Sequence, residues 1–139
     1  MIENYVYGVG AALPTNVTKT GYAFDGWYIN SNYDGAATTS IGVKEYGDKT
    51  YYAKWTPAIY AVNLKTNEGT VNAGNITSYT FGVAASLPTN VTKAGHKFAG
   101  WYDNELLKGE PITIIPNNAN GAKTYYAKWD VQSDKVATN

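Results

Sequence analysis

The chain of 139 residues, 15.1 kDa, has room for one ordinary domain or two very small ones. Eleven lysines balance eleven acids with no arginine, which excludes a basic footprint for nucleic acid or an anionic membrane surface, and no stretch approaches the roughly 18 apolar residues of a membrane span. Zero cysteines exclude disulfides, thiol catalysis, Cys-ligated zinc and iron–sulfur clusters, and the single histidine, His96, leaves almost nothing for a catalytic triad or a histidine metal site.

In chain order, the first feature is Leu13-Pro14-Thr15-Asn16-Val17-Thr18-Lys19, which recurs at Leu87 to Lys93. Gly26-Trp27-Tyr28 recurs as Gly100-Trp101-Tyr102, and Lys49-Thr50-Tyr51-Tyr52-Ala53-Lys54-Trp55 recurs at Lys123 to Trp129. The spacing is 74 residues in each case, and 28 of the 51 positions from Tyr5 to Trp55 match Tyr79 to Trp129. This is a tandem duplication without insertions. Between the shared blocks, 29–48 and 103–122 differ almost throughout while keeping their length, with Gly35/Gly109, Ile41/Ile115 and Gly47/Gly121 shared. A divergent segment on a fixed scaffold is where binding specificity or neutral drift resides.

Thr56-Pro57-Ala58 forms a short joint, and the second copy then reads as strands. Ile59–Leu64 predicts a strand closed by a turn at Asn67-Glu68-Gly69, and Ser78–Val83 predicts its hairpin partner across a long Gly/Asn-containing loop. Pro88–Ala94 allows one or two helical turns with Gly95 as the stop. Lys97–Tyr102 predicts a third strand, Ile112–Ile115 a short fourth and Thr124–Trp129 the last. In the last, Lys128 must reach water, which puts Tyr125, Ala127 and Trp129 on the core face. Units of this size bury only about 60–65% of their extended surface. Large aromatics, each removing roughly 150–250 Å² from water, are the expected remedy.

Gly95-His96-Lys97-Phe98-Ala99-Gly100-Trp101-Tyr102, the closing Tyr125-Tyr126-Ala127-Lys128-Trp129 and the preceding Leu-Pro-Thr resemble the Listeria–Bacteroides repeat, the B-repeat type module of internalin-like bacterial surface proteins. The resemblance covers nearly the whole chain. It implies an α+β, predominantly β fold of two tandem small β-grasp-like (ubiquitin-like) domains, 1–57 and 58–130, with 131–139 as a C-terminal tail or strand. It also implies an extracellular location, on a bacterial surface or secreted, with no enzymatic activity and no cofactor. Such modules serve as spacers or stalks, with adhesion in some cases. Alternative roles are a ligand-binding module for a host glycan or protein, and an accessory domain of a secreted glycan-degrading enzyme.

The first copy lacks the opening strand of the second, so Met1 reads as a start inside a longer protein, and the missing leader carries no weight. An unpaired strand edge then remains in the first unit. Ile59–Leu64 or the tail Val131–Thr138 would fill it, within one molecule or across a strand-mediated homodimer. A permuted boundary, with Ile59–Leu64 closing the first unit and the tail closing the second, fits equally well.

His96 falls where the first copy has Tyr22, which reads as a variable surface position. Asp103, Glu105 and Glu110 lack the regular oxygen-ligand spacing of a calcium loop, so no metal site is expected. No acid before Asp130 has an acidic partner in the other copy, which leaves no duplicated carboxylate pair for glycoside hydrolysis. Leu13-Pro14-Thr15-Asn16 lacks the final Thr-Gly of a sortase signal, and the Asn-x-Thr triplets at Asn16, Asn75 and Asn90 matter only in a eukaryotic secretory route. The remaining candidates are aromatic. Tyr52 and Tyr126, on the Lys54/Lys128 side, and Tyr33 and Tyr46, in the variable segment, would form a flat surface for a host or cell-surface glycan or protein. The competing reading is packing against lysine stems or a neighbouring unit.

Overall fold

The computed structural model describes residues 1–137. It divides into two compact units, Met1–Ala58 and a second that begins at Ile59. Among the described residues every regular element is a strand.

The first unit holds β1 (Ala11–Ala12), β2 (Tyr22–Tyr28), β3 (Ser40–Ile41) and β4 (Tyr52–Pro57). β2 and β4 pair antiparallel from Tyr22↔Pro57 to Tyr28↔Tyr52, with an irregularity between Phe24 and Trp27. β1 and β3 form a second antiparallel pair, Ala11↔Ile41 and Ala12↔Ser40. Leu13, Tyr28 and Ile41 are buried, whereas Tyr5, Trp27 and Tyr51 are only half-buried.

The second unit contains β5 (Ile59–Lys65), β6 (Thr70–Ala73), β7 (Ser78–Thr80), β8 (Ala85–Ser86), β9 (Asn90–Thr92), β10 (His96–Tyr102), β11 (Ile114–Ile115) and β12 (Lys123–Val131). Its main sheet has the order β10-β12-β5-β7, flanked by the pairs β6–β9 and β8–β11. β12 runs antiparallel to β10 and parallel to β5, where Val62, Asn63, Leu64 and Lys65 face Lys123 to Tyr126. Along β12, Tyr125 and Ala127 are buried and Trp129 packs at the edge of the core, as the alternation predicts. The core gathers Val62 from β5, Tyr79 from β7, Leu87, Val91 from β9, Trp101 from β10 and Ile115 from β11. Trp101 is 2% exposed and Ile115 fully buried.

Three expectations need correction. Pro88–Ala94 contains no helical turn: Asn90–Thr92 is β9, and it pairs with β6 through Thr70↔Thr92 and Val71↔Val91. The cause is the period-2 pattern, with Val91 buried between exposed Asn90 and Thr92, and a β-branched pair available across the ladder. The fold is therefore predominantly β, with no helical component among the described residues. Second, the hairpin partner of β5 ends at Thr80 rather than Val83, because Val83 N–H turns back to the Thr80 carbonyl. Third, Ile59–Leu64 belongs to the second unit, so the permuted boundary, with this strand as part of the first unit, is not the one observed. β5 is paired on both sides, by β12 and β7. Past Val131, residues 132–137 belong to no strand, and Thr138 and Asn139 lie outside the described residues.

Candidate functional site

The two shared aromatic blocks are tied together by one hydrogen bond per unit. The Trp27 indole Nε1–H donates to the Pro14 carbonyl and Trp101 to the Pro88 carbonyl, both at 2.7 Å. The Leu-Pro-Thr block thus supplies an acceptor for the tryptophan of the Gly-Trp-Tyr block, so the recurrence of both together has a physical basis. The glycine has its own cause. Gly26 and Gly100 take φ of +104° and +120°, and a Cβ there would lie 2.8 Å from Ala37 Cβ and 2.6 Å from Pro111 Cβ respectively. At this point the variable segment returns to the sheet: Thr38 N–H donates to the Trp27 carbonyl and Ile112 N–H to the Trp101 carbonyl, both at 2.7 Å.

The variable segment keeps one backbone shape on two different sequences. Asn30 Oδ1 accepts from the N–H groups of Asn32 and Asp34, and Asn104 Oδ1 accepts from Lys108 N–H while Nδ2 donates to the Lys108 carbonyl. Tyr33 and Leu107 occupy the same position three residues on, with φ of 59° and 57°, and each returns its N–H to the asparagine carbonyl at 3.2 Å. Asn30/Asn104 was the informative pair inside the divergent stretch; its identity at the 74-residue spacing was the signal.

This loop delivers Tyr33 edge-on to Tyr28, with ring centroids 5.8 Å apart. Tyr28 faces Tyr52 across the β2–β4 ladder, and Lys54 Nζ lies 5.7 Å from the Tyr28 ring and 3.8 Å from Asp25 Oδ2. Tyr33 and Tyr52 are each 39% exposed over the buried Tyr28, so the structure brings two of the four candidate tyrosines onto one patch. Tyr126 holds the equivalent of Tyr52 in the second unit, facing Tyr102 with Lys128 Nζ 5.7 Å from the Tyr102 ring. It is half-buried, because β12 is flanked by strands on both sides, and Leu107 replaces the aromatic of Tyr33. Tyr46 stands apart at 80% exposure, on the rim of a cleft of about 640 Å³ that includes Tyr5, Leu13, Trp27, Ile41 and Tyr51.

The ionisable groups serve local structure. Glu45 Oε2 accepts from Gly42 N–H at 2.6 Å and Oε1 lies 3.3 Å from Lys49 Nζ; the Gly42 bond first, then Lys49, holds this carboxyl below its ordinary range. Burial pushes the phenols of Tyr51, Tyr79 and Tyr125 upward. His96 Nδ1 lies 2.8 Å from the Ala94 carbonyl at the start of β10. Asp103 Oδ1 accepts from Asn104 Nδ2, and among the described residues no group of three or more His, Cys, Asp or Glu converges for a metal. No helix in that range is long and apolar enough to cross a membrane.

The family profile of the Listeria-Bacteroides repeat domain matches residues 2–54 and 60–128, one match in each unit. The chain belongs to this family. These repeats are 34% identical, over 96% of the chain, to part of a protein named as a Gly-rich membrane protein of Evansella cellulosilytica. They are 30% identical, over 89% of the chain, to part of a second protein named as a membrane protein of that organism. Internalin H of Listeria monocytogenes is 28% identical over 88% of the chain. The pair of repeats spans only 15%, 18% and 18% of these three relatives. No solved structure matches.

Proposed function

We propose that this pair of repeats is a non-catalytic module of a bacterial cell-surface or secreted protein, acting as a spacer and contributing to adhesion by extending the contact region of its parent protein rather than by binding a ligand itself. The functional units are 1–57 and 58–130, with the remaining residues as a tail. The observation that carries this reading is the repeated scaffold: the same indole-to-carbonyl bonds, glycine contacts and loop conformation recur 74 residues apart while the loop side chains change. A spacer needs its shape kept and leaves its surface free. The names of relatives, two membrane proteins and an internalin, support the surface location. A β-grasp-like arrangement without its helix is supported by the parallel pairing of β5 and β12 at the centre of the sheet.

Single-molecule stretching tests the spacer role. At a maximum of about 3.5 Å per extended residue, the first unit releases roughly 200 Å and the second roughly 250 Å. Two such steps are expected, the first unit yielding at lower force because its core is less buried. Extension without two resolved steps would refute a stalk of separately folded units. A second reading, recognition of a glycan or protein, is supported by the half-exposed Tyr33 and Tyr52 beside Lys54.

A further inference from the structure

In the second unit the first strand, β5, and the last among the described residues, β12, are neighbours at the centre of the sheet and run in the same direction. Val62, Asn63, Leu64 and Lys65 face Lys123, Thr124, Tyr125 and Tyr126 across this seam. In a parallel pair the evenly spaced backbone bonds bridge the strands, so tension applied at Ile59 and Val131 slides one strand along the other and strains the bonds together. A force directed across the strands meets them one pair at a time.

Side chains prolong the seam past the end of β5. The Trp129 indole N–H donates to the Thr66 carbonyl at 2.8 Å and Asn67 Nδ2 donates to the Ala127 carbonyl at 2.7 Å, although Thr66 and Asn67 belong to no strand. Gly69 lies against the Trp129 ring, where a Cβ would overlap the ring, so the turn seats closely on β12. Val62, Leu64, Tyr125 and Ala127 cover the inner face of the seam. Backbone bonds shielded in this way are electrostatically stronger than in water. Both strands are also held on their far edges, β5 by β7 through Ile59, Tyr60 and Ala61, and β12 by β10 from Tyr126 to Val131.

We propose that β5 and β12 form a force-bearing seam and that the second unit is built to carry tension along the chain. The inference rests on the spacer reading, because only a stretched module has its ends pulled apart. Resistance to pulling is set by how fast the seam opens under load, not by equilibrium stability. The direction of the force therefore decides how much the unit withstands.

The chain has no cysteine, so pairs of introduced cysteines place pulling handles at chosen sites of the full chain. Ile59→Cys with Val131→Cys, both at exposed positions, loads the seam in shear. Glu68→Cys with Val131→Cys, also exposed, loads the neighbouring C-terminal ends of the two strands transversely. At a maximum of about 3.5 Å per extended residue the two geometries release roughly 250 Å and 220 Å, which identifies each event as opening of the second unit. At one loading rate, the shear geometry should rupture at a force at least about twofold higher than the transverse one. Asn67→Gly, which suits the φ of 51° and removes the bond to the Ala127 carbonyl, should lower the shear force. Near-UV circular dichroism checks that each variant keeps its fold. Equal forces in the two geometries, or a shear force that Asn67→Gly leaves unchanged, would overturn the seam. If the two end-to-end steps were still resolved, the spacer reading would stand without it; loss of the second unit's step would refute both.

Discussion

Trp101→Ala tests the core of the second unit most severely. The indole is 2% exposed, lies edge-on to Phe98 at 5.5 Å and donates to the Pro88 carbonyl. Removing a buried tryptophan costs about 3–5 kcal/mol in transfer and cavity terms. Leaving the buried Pro88 carbonyl without its donor adds about 1–3 kcal/mol. A unit of this size has only about 4–11 kcal/mol of stability in total, at about 0.05–0.15 kcal/mol per residue. The second unit is therefore expected to unfold or sit at the edge of unfolding. Trp129→Ala acts through the same core, with a smaller loss because that ring is partly exposed. Trp27→Ala, at the half-buried equivalent site, should cost roughly half as much as Trp101→Ala, following the smaller area removed from water. Urea denaturation followed by near-UV circular dichroism, with amide NMR spectra to separate the units, reads the difference. A Trp101→Ala chain whose second unit still unfolds cooperatively, weakened by less than about 1.5 kcal/mol, would refute this packing account.

Other consequences follow from the same contacts. Gly100→Ala should cost about 2–5 kcal/mol by denaturant midpoint, combining a left-handed φ with a Cβ driven against Pro111; Gly82→Ala, also at positive φ but in open space, should cost only about 1–2. Tyr79→Phe removes the hydroxyl that donates to the Gly121 carbonyl and should cost about 1 kcal/mol, with Tyr5→Phe, bonded to Gly47, affecting only the first unit. Alkaline pH should weaken the second unit. Burial raises the Tyr79 and Tyr125 phenols in the fold, so their contribution is complete below the ordinary value of 10.0 and is lost as pH rises through the raised values. Urea midpoints measured across that range should fall, and a flat profile would contradict the assignment.

Legibility from sequence tracked how local each cause was. The 74-residue spacing exposed the duplication, and the alternation of Tyr125, Ala127 and Trp129 against Tyr126 and Lys128 placed the core face of β12 without coordinates. Asn67-Glu68-Gly69 read as a turn and is one, with Asn67 and Glu68 at positive φ. β6 and β9 were illegible, because each is short and becomes a strand only through a partner about twenty residues away. Proline and glycine bracketing Asn90-Val91-Thr92 therefore read as helix punctuation. Strand alternation and the variable segment mark the four candidate tyrosines one position at a time, without their lateral neighbours. Folding unites Tyr33 with Tyr52, leaves Tyr46 on the cleft and places Tyr126 on a central strand, since lateral neighbours are set by strand order. Asn30 and Asn104 are hard to single out in sequence because they sit among divergent residues, although Asn30 organises the loop that carries Tyr33.

The claim that this chain serves through its shape is tested most directly by screening the full chain for binding to arrayed host glycans, mucins and matrix proteins. The account predicts no saturable signal up to about 0.1–1 mM, with the fold intact throughout. A saturable signal that Tyr33→Ala or Tyr52→Ala abolishes in a folded chain would contradict it and make the Tyr28 patch a recognition site.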